Sequence, residues 1–252
     1  LNIRKNIKTA LVSIDRQLGV RDWLRDEGVK EQAYNPINRD PFGGGDINHP
    51  PPRTVLDIGG SHGQFAKEVF RAFPHAKIYS FEPIPECYQE LEALRDGIPN
   101  LHPIKIALSD HAGERELRLS RFRDSSSLHE MLPAHLEAWP YTEIESKIKV
   151  NLACLDDIAP GLELKKPVLA KIDVQGHELA VMHGGRATLS ICQRVMLECN
   201  FAPLYDGQPS FVQLYNEMKS IGFLLDAFIT PLRHPQTHEL LSADVVFYRL
   251  PS

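Results

Sequence analysis

Four carboxylates stand where a small molecule could be gripped. Asp57, Glu82, Asp173 and Glu198 each lie at the end of a short apolar run with strand character: Thr54-Val55-Leu56-Asp57, Lys77 to Glu82, Val168 to Asp173, and Val195 to Asn200. In an open parallel α/β sheet, the carboxyl ends of the strands form the edge where ligands bind. A carboxylate can equally cap the following helix, so any one of them decides little; four along one edge is the stronger observation.

The first of these carboxylates leads into a glycine turn, Asp57-Ile58-Gly59-Gly60-Ser61-His62-Gly63, followed by an amphipathic stretch with Phe65, Val69, Phe70 and Phe73 along one face. Strand, glycine turn and helix together bring backbone N–H groups and a helix N-terminus to a nucleotide-like molecule. A dinucleotide fingerprint needs G-x-G-x-x-G. Its second glycine falls on Ser61 or on His62, depending on register, so both registers fail. The pattern is instead D-x-G-x-x-x-G, and Glu82, 19 residues past Gly63, ends the second strand. An acidic residue there takes both hydroxyls of a ribose. The combination fits S-adenosylmethionine (SAM) better than NAD.

The elements that must position these groups alternate from residue 53 onward, which is an α/β pattern. Pro85 opens a helix with Cys87, Leu91 and Leu94 inward, and Pro103–Leu108 reads as a third strand. Its end, at Ala107, Leu108 and Ser109, is where an adenine would lie against small apolar residues and backbone amides. Residues 114–122 and 147–153 alternate with period two and read as paired strands around an irregular insertion at about 121–147, rich in His, Ser, Trp and Tyr. Such an insertion is a common place for substrate recognition; a solvated excursion is the alternative. His129 and His135, six apart, match no usual zinc spacing, and no metal is expected. After Asp173, the segment from Val174 to Glu178 turns into a helix carrying Leu179, Met182 and Leu189. Ser210 and Gln213 form a capping box for a helix ending at Gly222. Two closing β runs, 223–229 and 243–248, read as an edge hairpin with a structural role.

Residues 1–52 divide into a stretch with helical spacing (Ile7, Leu11, Ile14, Leu18) and a Pro/Gly-rich loop over 35–53. The helical stretch is expected to flank the core; the alternatives are covering a cofactor or pairing protomers into a homodimer. The net charge of −5 argues against a nucleic-acid partner. No apolar run is long enough for a membrane span, and Leu1 to Lys5 lack a signal-peptide core. Cys87, Cys154, Cys192 and Cys199 form no C-x-x-C pair and read as reduced packing residues. A cytoplasmic enzyme is expected.

Residues 53–250 resemble the FkbM family of class I SAM-dependent methyltransferases. The resemblance rests on Leu56 to Gly63, Phe81-Glu82-Pro83, Ala107-Leu108-Ser109-Asp110, Leu155-Asp156-Asp157-Ile158, Lys171 to Glu178, and Leu197-Glu198, in that order. It implies a Rossmann-like α/β fold: a seven-stranded, mostly parallel sheet with an antiparallel C-terminal hairpin, spanning 53–252. It also implies methyl transfer from SAM to a hydroxyl of a sugar, polyketide or similar small metabolite. Asp57, Gly59, Gly60, Ser61, Gly63, Glu82, Pro83, Ala107, Leu108 and Ser109 then become the expected cofactor contacts. Asp57 orders the turn or reaches the methionine amine through water.

An alcohol needs somewhere to send its proton. Asp173, His177 and Glu198 are the candidate bases, Asp173 first. One departure matters: Gln175 replaces the Glu of the family's usual Asp-Val-Glu-Gly, which removes a carboxylate beside the acceptor site. Two alternatives follow, a catalytically silent SAM-binding protein and, on a related sheet, an NAD-dependent oxidoreductase.

Overall fold

A computed structural model of the chain describes residues 50–250; the helical stretch and most of the Pro/Gly-rich loop expected within residues 1–52 lie outside that range. At the centre is β1 (Thr54–Ile58), with all five residues buried. It lies parallel to β2 (Lys77–Phe81) on one side and to β7 (Val168–Ile172) on the other. A strand buried on both faces needs a continuous apolar run, which is why Val55, Leu56 and Ile58 flank the single charged residue Asp57.

The main sheet has the order β3-β2-β1-β7-β8-β10-β9, with β3 (Leu101–Ile104), β8 (Arg194–Asn200), β9 (Leu224–Arg233) and β10 (Leu240–Tyr248). Only β10 runs against its neighbours, so this is the expected seven-stranded sheet with an antiparallel hairpin. The chain winds outward from β1 in both directions. The switch point therefore falls between β1 and β7, and a crevice opens at their carboxyl ends.

The helices follow their apolar faces. α1 (Gln64–Ala72) buries Phe65, Ala66 and Val69, and α2 (Pro85–Leu94), with proline in its first turn, buries Cys87 and Leu91. The helix expected from Glu178 through Leu189 is two short ones, α5 (Glu178–Gly184) and α6 (Arg186–Ser190). Asp156, on the one-turn helix α4 (Leu155–Ile158), accepts hydrogen bonds from the Ala187 and Thr188 N–H groups at 2.9 and 2.7 Å, capping α6 from outside. The capping box of α7 (Phe211–Ser220) forms as expected from Ser210 and Gln213. Cys87, Cys192 and Cys199 are buried free thiols, and Cys154 is half-buried.

Two expectations change. The third strand is not continuous: it turns at Lys105-Ile106, where the Ile106 N–H donates to the Ile104 carbonyl at 3.0 Å. β3 stays in the main sheet, whereas β4 (Ala107–Leu108) joins a second sheet of order β4-β6-β5. There β5 (Gly113–Ser120) and β6 (Ile144–Ala153) pair antiparallel, as their alternation predicts. The segment between them is not a solvated excursion. It carries α3 (Pro133–Ala138) and buries Met131 and Ala138 against Leu204, Tyr205 and Leu241. Its apolar residues meet partners distant in sequence, so they need no internal period.

Candidate active site

A cavity of about 690 Å³ opens over the carboxyl ends of β1, β2, β7 and β8, walled by the insertion on one side and by the β9–β10 hairpin on another. That volume lies within the range of ligand sites. Among the expected cofactor contacts, Gly59, Gly60, Ser61, Glu82, Pro83, Ala107 and Leu108 line it; Asp57, Gly63 and Ser109 do not.

The glycine turn is held by backbone bonds and shaped by close packing. The Gly59 and Gly60 N–H groups both donate to the Phe81 carbonyl, at 3.0 and 3.1 Å. Gly59 has φ +85°, and a Cβ there would meet the Asp173 carbonyl oxygen at 1.9 Å. A Cβ at Gly60 would lie 2.0 Å from Ser80 Oγ. That hydroxyl donates to Asp57 Oδ2 at 2.7 Å from the paired position on β2. Asp57 is fully buried, and burial, only partly offset by Lys171, raises its carboxyl pKa.

Glu82 turns back toward the glycines. Oε2 accepts from the Ser61 N–H at 2.9 Å and Oε1 from the Ile84 N–H at 2.7 Å. Burial pushes its carboxyl up to about 7 despite those two bonds. The Ser61 hydroxyl donates to Asp124 of the insertion, tying the turn to the wall opposite.

The floor of the cavity is a carboxylate network. Asp173, just past β7, accepts from Lys171 Nζ at 2.8 Å and from Gln175 Nε2 at 2.7 Å. Burial opposes its charge, but the Lys171 ammonium and these bonds outweigh it and hold the carboxyl below the ordinary range. Glu198 accepts the second Gln175 N–H at 2.7 Å. Burial, then the charges of Asp173, Glu178 and Asp244, push Glu198 well above the usual range. Gln175 Oε1 accepts from Tyr205 O–H at 2.6 Å. One amide thus spends both donors on two acids and its acceptor on a phenol, which fixes its orientation. Gln175 sits at φ +53°, a left-handed conformation that is uncommon outside glycine and clusters at functional sites.

His177 is not solvent-facing: it is buried, at the N-cap of α5. His129 Nδ1 lies 2.8 Å from the Asp206 carbonyl, so Nδ1 must carry the hydrogen, which leaves Nε2 as an acceptor. That nitrogen is 3.0 Å from His177 Nδ1, and His177 Nε2 is 3.0 Å from Ser109 Oγ. One carbonyl thus sets the His129 tautomer and makes His177 Nδ1 the donor to it, while His177 Nε2 faces the Ser109 hydroxyl, which donates to Asp110 Oδ1 at 3.1 Å. Burial, reinforced by His129, lowers His177 to about 4, so it is neutral at physiological pH.

Sequence reasoning missed Lys171, Gln175 as a hub, Tyr205 and Asp244. The hairpin, read as purely structural, contributes Thr230, Leu232, Ser242 and Asp244 to the cavity wall. A lone Asp within Ser242-Ala243-Asp244-Val245-Val246 was the available signal, as was Lys171 two residues before Asp173 on one strand face.

The Methyltransferase FkbM domain matches residues 57–225. The chain is 27% identical over 164 residues to the 2-O-methyltransferase NoeI of Sinorhizobium fredii, covering 63% of this chain and 68% of that protein. It is 28% identical to the methyltransferase sdnD of Sordaria araneosa, over 54% of this chain and 62% of that one. With the hexuronic acid methyltransferase AglP of Haloferax volcanii it shares 25% identity, over 49% of this chain and 47% of that one. The chain thus spans less than two thirds of the length of the latter two. A solved structure of magnesium protoporphyrin IX methyltransferase from Synechocystis PCC 6803, with bound SAM, aligns over 99% of this chain and 85% of that one, at 13% identity and a TM-score of 0.45. Domain match, sheet order and glycine turn agree: the chain belongs to the FkbM methyltransferase family, whose methyl donor is S-adenosylmethionine.

Proposed function

We propose that this chain O-methylates a hydroxyl of a sugar, polyketide or other small metabolite, with Asp173 as the general base. The observation that carries the reading is Asp173 itself: ionised, fixed by Lys171 and Gln175, and on the cavity floor beside the glycine turn. The name of the relative NoeI, a 2-O-methyltransferase, supports an oxygen acceptor, and that of AglP a sugar-derived one.

The residues present fit the cofactor. Gly59 and Gly60 hold the backbone close at the switch point, and Glu82 borders the cavity with lone pairs left beyond its two N–H donors, suited to paired ribose hydroxyls. Ala107 and Leu108, with Ile84 and Ile106, offer the apolar slot an adenine requires. When bound, SAM supplies a methyl already activated by its sulfonium sulfur, so alignment accounts for much of the rate.

The protein's own work is then positioning and proton transfer. Asp173 accepts the hydroxyl proton; Lys171 keeps it ionised beforehand, and Gln175 stops it rotating. Glu198, whose carboxyl burial and the neighbouring acids push well above the usual range, is not taken as the base. His177 is neutral, but its Nε2 already faces the Ser109 hydroxyl, which makes it a support for the wall beside the base. The silent-protein alternative rests on Gln175; its amide leaves Asp173 charged and in place, so that residue does not argue against catalysis.

Calorimetric titration with SAM, S-adenosylhomocysteine and NAD tests the cofactor half of this reading. SAM and S-adenosylhomocysteine are expected to bind at micromolar level and Glu82→Ala to abolish binding; binding of NAD alone would refute it. For the base, Asp173→Asn is expected to retain S-adenosylhomocysteine binding and to lower kcat by roughly 10²–10⁴; unchanged kcat removes Asp173 from that role.

A further inference from the structure

Resting on the methyltransferase reading, the charge and polarity of the cavity say which hydroxyl compounds it can admit. Asp244 on β10 is the register partner of Glu198 on β8. Asp173 follows the last paired residue of β7, Ile172, whose partner is Leu197, so it stands level with Glu198. Three neighbouring strands therefore carry Asp173, Glu198 and Asp244 in a row at the cavity. Like charges directly opposite on a sheet are unfavourable, in line with the raised carboxyls of Glu198 and Asp244 on either side of that pairing.

Asp244 is aimed by the strand beside it. Between its pairing with Ile229 and that of Ser242 with Leu232, the β9–β10 register shifts at a bulge, and bulges next to active sites re-aim side chains. Thr230, in that bulge, has φ +46°, an outlier for a β-branched residue. From there its hydroxyl donates to Asp244 Oδ2 at 2.6 Å. One Asp244 lone-pair set is thereby fixed and the rest remains toward the cavity.

The ionisable lining is one-sided. Among the described residues the cavity is lined by Glu68, Glu82, Asp124, Asp173, Glu198 and Asp244, against Lys171 and Arg123. Both cations are committed: Lys171 to Asp173, and Arg123 to Glu86 and Glu145 at 3.1 and 2.6 Å. His135 of α3 lines the same cavity between Trp139 and Tyr205 with both ring nitrogens buried, so its ring packs the wall. At the mouth, Phe122 and Tyr141 meet edge to face at 5.7 Å with their rings largely exposed, an apolar ledge for a ring face.

We propose that Asp244 is an acceptor-binding residue, and that with Asp173 it selects an uncharged, hydroxyl-rich ring and excludes acceptors bearing a carboxylate, sulfate or phosphate. Ring hydroxyls donate to Asp173 and Asp244. An anion would face the carboxylate row with no uncommitted cation among the described lining residues to pair it, and like-charge juxtaposition is an effective means of rejection. In acceptor charge this chain then differs from AglP, whose name gives it a hexuronic acid.

The test presents the protein and methyl-labelled SAM with two pools of small glycosides matched in size, one of neutral hexosides and 6-deoxyhexosides, one of uronic acids. Label is expected in the neutral pool by about tenfold or more over the acidic one. Asp244→Asn is expected to narrow that ratio, and raising the salt should narrow it less, because the row lies inside the cavity and is only partly exposed. Label chiefly in the uronic pool, or in neither pool while S-adenosylhomocysteine still binds, overturns the proposal. Loss of cofactor binding in the parent protein would instead overturn the methyltransferase reading beneath it.

Discussion

Replacing Gln175 by glutamate (Gln175→Glu) restores the residue usual in the family, yet in this chain it is expected to destabilise. The amide donates two hydrogen bonds of 2.7 Å, to Asp173 Oδ1 and to Glu198 Oε2, while accepting from Tyr205. An ionised glutamate at this position would set a carboxylate against the charge of Asp173 and withdraw both donors, with only Lys171 to compensate. The folded variant therefore keeps the introduced carboxyl protonated, which returns one donor and leaves one hydrogen bond to a charged network unmade, a loss of about 1.5–3 kcal/mol. For a chain of this size that lowers Tm by roughly 3–12 °C. The sign with pH follows from linkage. In the folded state the introduced carboxyl holds its proton above the ordinary carboxylate range, while the unfolded chain releases it near pH ~4.3. The folded form thus binds more protons, and the deficit grows as pH rises. Thermal melts of both proteins at pH 5 and pH 8 measure this directly. A deficit that is absent, or that shrinks toward pH 8, would refute the assigned amide orientation and the shared-acid network.

Three further outcomes are expected. Gly60→Ala should cost about 1–3 kcal/mol in denaturant unfolding, because its Cβ displaces the Ser80 hydroxyl that is the buried partner of Asp57; a neutral result would mean that Ser80 can rotate freely. Glu178→Gln keeps an acceptor for the Gly176 N–H, bonded at 3.0 Å. Burial raises the Glu178 carboxyl to about 7, so its contribution to stability is present below pH ~4.5 and is lost as pH rises through 7. The Gln variant should match the parent at pH 5 and exceed it by on the order of 2 kcal/mol at pH 8.5; equal stability at both pH values contradicts this. His129→Leu leaves the His177 Nδ1–H without its acceptor and should cost about 1–3 kcal/mol, with the His177 ring signals shifted in NMR spectra. Unchanged His177 signals would show that the two rings are not hydrogen-bonded.

Where this fold could be read in the sequence, the determinants were local. β1, β2, β7 and β8 are legible because strands buried on both faces need uninterrupted apolar runs, and Gly59 and Gly60 because no side chain fits where their backbones pass Asp173 and Ser80. The cofactor edge follows from the chain's order alone, since parallel strands joined by helices place every strand end on one side. What tertiary structure alone decided is which of those strand ends carry charge and what they face. In sequence Asp173, His177 and Glu198 are all candidate bases, Asp173 first, with nothing to say how each is held. Folding gives Asp173 the Lys171 ammonium, pushes the Glu198 carboxyl well above the usual range, and turns His177 toward His129 and Ser109. Asp244 and His135 stand in a hairpin and an insertion with no motif. Their place in the cavity depends on strand pairing and on packing between segments far apart in sequence, interactions that leave no periodic trace in either segment.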